Sequence, residues 1–204
     1  MGLKVHHRPP LLLCSGRVSR ILQQARQIVP MQLLAFCVMP NHWHLVLRPD
    51  TDNALSEYMR WLTTTHSQRW HAFQKSIGTG PVYQRRFKSF PIQEDDHFLA
   101  VCRHVERNPL RASLVRRAEL WKWSSLWHWK QRSAIVSLSD WPLPRPTECL
   151  DHVNQPQSEA ERSAIRQATT RSRPYGGPDW VWPTATSLGL QSSLRRRGNP
   201  GRFA

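Results

Sequence analysis

"QLLAFCVMPNHWHLVLR", residues 32–48, is two apolar runs divided by Pro40-Asn41. Pro-Asn is turn chemistry, and short runs rich in Leu, Val, Phe and Trp are strand-forming. The stretch predicts a hairpin: a largely buried strand over 32–39 and a second strand over 42–48. Strand side chains alternate between faces. Trp43, Leu45 and Leu47 therefore share one face, and His42, His44 and Val46 share the other. Two imidazoles then stand side by side, which is the beginning of a divalent-cation site. The alternative is a pair of histidines with ordinary hydrogen bonds, since H-x-H is short and arises by chance.

Helices flank this hairpin. Val18, Ile21, Leu22, Ala25 and Ile28 recur at helical spacing over 17–29, ended by Pro30. Leu55, Met59, Leu62, His66, Trp70 and Phe73 do the same over 54–75. "VYQRRFKSFPI", 82–92, has strand character, and Asp95-Asp96 opens a helix that runs to Asn108-Pro109. Its apolar stripe is Phe98, Val101, Cys102 and Val105, with His97, His104 and Asn108 along the edge. Packed on the H-x-H face, this helix would bring the Asn108 oxygen beside His42 and His44. Two imidazoles and one amide oxygen, with positions left open, suit Mg²⁺ or Mn²⁺ holding a phosphate oxygen and make a poor closed zinc site. Against this, Asn before Pro commonly only terminates a helix.

The order helix, strand, strand, helix, strand, helix predicts an α+β fold, an antiparallel sheet with helices on one face. Residues 1–16 read as irregular, 17–131 as the main domain, 132–157 as a linker marked by Pro142, Pro144 and Pro146, and 158–204 as a helical and basic tail. Trp121, Trp123, Trp127 and Trp129 read as packing residues more than as a base-stacking ladder.

Among 204 residues, Lys and Arg number 29 against 14 Asp and Glu, a formal net charge of +15, and 24 of the 29 are Arg. Arginine forks grip phosphate in two places where Lys offers a point charge, so the excess points to a polyanion, nucleic acid before acidic membrane. Arg85, Arg86 and Lys88 interleave with aromatics, and Arg103, Arg107 and Arg111 recur every fourth residue. Arg195, Arg196 and Arg197 make a basic tail. All nine residues are candidate DNA contacts, with solvated surface charge as the alternative. The four cysteines form no C-x-x-C and no zinc framework, which fits a reducing cytoplasm. No run approaches the roughly 18 apolar residues of a membrane span, so no membrane association is expected. H-x-H metallohydrolases fit badly, because the sequence continues "LVLRPD" without their further ligands.

Taken together, "LLAFCVMPNHWHLVLRP", "YQRRFKSFPIQEDDHFLAVCR" and "VERNPLRASLV" resemble the REP-associated tyrosine transposases of the IS200-like HUH superfamily, from about Ile21 to about Lys130. Weaker similarity resumes at "RPYGGPDW" and "LGLQSSLRRRGNP". The resemblance implies a ferredoxin-like fold, a Mg²⁺ or Mn²⁺ ion on His42, His44 and Asn108, and DNA transposition. A helix tyrosine of the family attacks a phosphate in single-stranded DNA, typically in hairpin-forming repetitive extragenic palindromes. A monomer or homodimer in the bacterial cytoplasm, associated with the nucleoid, is the matching expectation.

Four departures stand out. The family stretch R-Y-V-E-R-N is Arg103-His104-Val105-Glu106-Arg107-Asn108 here, so the nucleophile position is His104. Imidazole is shorter than phenol and would leave a labile phosphoramidate. A nucleophile must lie within roughly 3–3.5 Å of phosphorus, so impaired cleavage is expected, with a non-catalytic DNA-binding protein as the alternative. The family's opening strand is not evident in residues 1–16; the sheet is expected to lack it, or to substitute Pro10–Cys14. Arg85 stands where Gly is common, and Asn199 where the tail commonly reads G-R-P.

Overall fold

The computed structural model of the chain describes residues 2–6, 15–83, 86–133 and 135–195. In order these form β1 (Gly2–His6), α1 (Ser15–Ile28), β2 (Met31–Val38), β3 (His42–Pro49), α2 (Ala54–Gln74), β4 (Lys88–Phe90) and α3 (Asp96–Glu106). Short helices follow: α4 (Asn108–Arg111), α5 (Ser125–Lys130) and α6 (Cys149–Asn154). Two longer ones, α7 (Glu159–Arg171) and α8 (Pro178–Ser187), come last.

The hairpin forms where the sequence placed it, with β2 and β3 antiparallel from Met31↔Pro49 to Val38↔Trp43. The sheet has four antiparallel strands in the order β2-β3-β1-β4. With α1 and α2 as crossovers, this is the ferredoxin-like arrangement. The opening strand is present as Gly2–His6, and Pro10–Cys14 lies outside the described residues. Gly2–His6 pairs with β3 from Gly2↔Val46 to His6↔His42 and with β4 from Gly2↔Phe90 to Lys4↔Lys88. Five residues are too few for a period-two pattern to stand out; pairing on both sides makes the strand.

Helices cover both faces, which corrects the one-face expectation. On one side α1 and α2 pack Val18, Ile21, Leu22, Tyr58, Met59 and Leu62 onto Phe36, Val38, Trp43, Leu45 and Leu47. On the other, α3 and α7 pack Phe98, Val101, Cys102, Val105, Ile165 and Ala168 onto Leu34, Ala35, Cys37 and Val46. Such burial on both faces explains why β2 reads as an unbroken apolar run. A bulge between Leu33 and Ala35 also resets its alternation: Met31 and Leu33 face the α1–α2 side before it, Phe36 and Val38 after it.

Strand β2 is an edge, and the tryptophan-rich segment caps it. Trp121 Nε1 donates to the Val38 carbonyl at 2.9 Å and Trp141 Nε1 to the Leu34 carbonyl at 2.8 Å. Val38 N–H donates to Trp123 O, and Ser139 N–H to Leu33 O. These bonds occupy groups that would otherwise template another strand. The stretch expected to be a linker thus lies against the sheet, with Val136 1% exposed in the α1–α2 core. Among the described residues of 82–92, the strand is Lys88–Phe90; Val82 and Tyr83 pack against Trp70 instead.

Candidate functional site

Strand alternation sets His42 and His44 on the face opposite Trp43, with ring centroids 4.9 Å apart and near-perpendicular planes. His44 is buried and His42 half-buried. His42 Nδ1 lies 2.6 Å from Asn41 Oδ1. An amide oxygen only accepts, so Nδ1 carries the proton and Nε2 the lone pair, the tautomer suited to binding a cation through Nε2.

Helix α3 packs across this face through the apolar stripe read from the sequence, all four residues of which are buried. Its N-terminus is capped by Asp95, whose carboxylate accepts the His97 N–H at 2.8 Å and also meets His97 Nδ1 at 2.8 Å. The His97 ring sits edge-on to Tyr175 at 4.9 Å. Two helical turns further on, His104 faces His44 with centroids 6.1 Å apart. Its Nδ1 is 3.2 Å from Gln157 Oε1, and Gln157 Nε2 donates to Ala100 O at 3.1 Å. That second bond fixes the amide orientation, so the oxygen faces His104 and the ring proton resides on Nδ1.

Asn108 is 1% exposed at the start of α4. Its Nδ2 donates to His104 O at 3.3 Å and its Oδ1 accepts from Arg111 at 2.8 Å. Among the described residues no three of His, Cys, Asp or Glu gather as a metal-holding group. A divalent ion placed here would meet the imidazoles of His42 and His44, with neutral oxygens left to complete a shell. The His42 tautomer fits a divalent ion. The Arg111 guanidinium on the Asn108 oxygen leaves that atom one of its two acceptor positions and sets a positive charge beside it.

Behind α3, Glu106 is fully buried and accepts from Ser125 Oγ at 2.8 Å, with an Arg145 nitrogen at 3.5 Å. Burial raises its pKa against the pull of Arg145 and Ser125. Arg145 in turn stacks 3.6 Å over the Trp141 ring. This network ties the 141–149 segment to the helix carrying His104.

The remaining candidates scatter. Arg86 and Lys88 are exposed beside and on β4. Arg103 is 8% exposed and donates to the carbonyls of Gln155 and Pro156. Arg107 is half-buried and Arg111 exposed. Arg195 is exposed, its carbonyl accepting from Arg171. Arg85, Arg196, Arg197 and Asn199 lie outside the described residues. Sequence reading did not single out Asn41, Gln157, Arg145 or Arg162. Asn41 alone had a local signal, being in the turn before His42; the others arrive by tertiary packing.

None of the three tyrosines lies on α3. Tyr58 is buried and donates to Leu22 O, and Tyr83 stacks on Trp43 on the far side of the sheet. Tyr175 lies by His97 at the other end of α3. No described helix is long and apolar enough to cross a membrane.

A ferredoxin-like α+β domain with a histidine pair on one sheet face, roofed by an arginine-bearing helix, is the class these features define. Residues 12–108 match the family model described as "Transposase IS200 like". Among solved structures it is similar to a REP-associated tyrosine transposase bound to a REP hairpin. The TM-score is 0.50 at 18% identity, over 68% of this chain and 84% of that one. No match is found among the curated proteins.

Proposed function

We propose that this protein binds single-stranded, hairpin-forming DNA across the His42–His44 face, and that the family's metal-dependent strand cleavage and rejoining is impaired in it. The placement of His104, 6.1 Å from His44 across the sheet–helix cleft, carries the reading, because the resemblance aligns it with the attacking tyrosine. His42 and His44 would hold Mg²⁺ or Mn²⁺, with Asn108 as the third donor. Such an ion supplies Lewis acidity toward a phosphate oxygen.

The chain's own residues do the rest. His42 is turned by Asn41 so that its lone pair is on Nε2. His104 is held by Gln157 with its proton on Nδ1, pinned on a rigid helix. It lacks the reach and the phenolic oxygen that would give a stable phosphoester. Arg103, Arg107 and Arg111 place positive charge along the same helix and its extension, where a phosphodiester backbone would run. The net charge of +15 is the support for a polyanion partner.

Titrating labelled hairpin DNA, unstructured single-stranded DNA and an RNA hairpin of equal length at one salt concentration tests the reading. Tightest binding to the DNA hairpin is expected. A preference for the RNA hairpin would instead assign the sheet to RNA recognition.

A further inference from the structure

Four arginines meet where α3 ends and α7 begins. Arg103 and Arg107 lie on and just after α3, Arg111 closes α4, and Arg162 projects from α7. Arg103 donates to the carbonyls of Gln155 and Pro156, and the Arg162 N–H to Ser158 O, which brings the first turn of α7 to the end of α3 that carries Arg103 and Arg107. Acidic compensation is thin: Glu159 pairs with Arg162 and approaches Arg166 at 4.0 Å. Glu106 faces away, toward Ser125 and Arg145.

The donor inventory of this cluster is incompletely used. Arg103 Nε, Arg107 NH1 and Arg162 Nε are each buried without a hydrogen-bond partner among the described residues. Arg103 is itself 8% exposed. A buried unsatisfied donor costs free energy, more so when charged, and converging like charges add repulsion. One ligand class relieves both at once: an oxyanion with several acceptor oxygens. Arg103 spends one nitrogen on two carbonyls and Arg111 spends one on Asn108, which fixes their guanidinium planes and leaves other N–H groups to point elsewhere.

We propose that Arg107, Arg111 and Arg162, backed by Arg103, form a phosphate subsite that seats one backbone phosphate of the bound DNA. The subsite adjoins His104 but is separate from the histidine pair, and it recruits α7, an element beyond the IS200-like segment. The proposal rests on the DNA reading above for its ligand. Gln157 and Arg162 give the 157–162 stretch a double role, orienting His104 and gripping the strand that passes it.

Hairpin DNA binding by wild type, Arg162→Gln and Arg166→Gln, across a salt series, is the test. Losing one charged phosphate contact should weaken Arg162→Gln about tenfold. The slope of log affinity against log salt should shrink by about 0.7–0.9. Arg166→Gln, one turn along the same helix, should bind as wild type. Arg111→Gln, at an exposed position, gives the same comparison should Arg162→Gln loosen α7. Wild-type affinity and slope in both Arg162→Gln and Arg111→Gln would overturn the subsite while leaving the DNA reading intact. If wild type binds no hairpin at all, the DNA reading falls, and a pyrophosphate titration followed by thermal shift decides the subsite. Saturable stabilisation of wild type but not of Arg162→Gln keeps it; equal responses overturn it.

Discussion

His128 shows how one buried imidazole ties stability to pH. It is 4% exposed, between the rings of Phe36 and Trp127, and its Nδ1 has no hydrogen-bond partner among the described residues. Burial lowers its pKa from the ordinary 6.5. The unfolded chain then takes up a proton below about pH 6.5 that the folded chain resists. Stability from neutral His128 is present above that pH and is lost as pH falls toward the depressed folded value. His152, also lowered by burial, acts in the same direction. Urea unfolding at about pH 7.5 and 5.5 should show wild type losing stability on acidification and His128→Phe losing less. An unchanged loss in His128→Phe would contradict this. At this scale the sequence displayed its chemistry well where partners are local: His42 and His44 follow from strand alternation, and the α3 stripe from helical period. It did not display Gln157 against His104 or Arg145 against Glu106, because those partners are 53 and 39 residues apart.

Among the elements, β1 has the largest consequence for its length. Lys4 pairs with His44 on one side and Lys88 on the other, so a proline there must remove a ladder bond. Lys4→Pro should cost about 1–3 kcal/mol for the carbonyl left unmet, with added loss from strain, seen as a lower Tm and a broader unfolding transition. A Tm equal to wild type would mean the sheet does not depend on β1. Asp95→Ala should cost about 1 kcal/mol by uncapping α3, measured by urea unfolding; no loss would show that the cap contributes nothing. Long periodic elements such as α2 were legible because their pattern repeats over several turns. β1 was not, since Gly2–His6 has only five residues and becomes a strand through its neighbours. The bulge in β2 hid its alternation in the same way: a local register change has no composition signature.

Over the whole molecule, two facing layers of helix enclose a ferredoxin-like sheet, and the histidine pair lies under the helix that carries His104. The α+β class was readable from element order. Coverage of both faces was not, because nothing in a helix's own sequence says which side of a sheet it will take. The charge excess predicts that hairpin affinity falls steeply as salt rises. On the proposed reading, His104 is the residue that impairs strand cleavage at this site. The direct measurement is denaturing-gel analysis of labelled hairpin DNA incubated with Mn²⁺ and wild type, His104→Tyr or His104→Ala. Wild type and His104→Ala should leave the strand intact, while His104→Tyr should cleave it and carry a covalent DNA adduct. Cleavage by wild type that disappears in His104→Ala would contradict the account and establish an imidazole nucleophile.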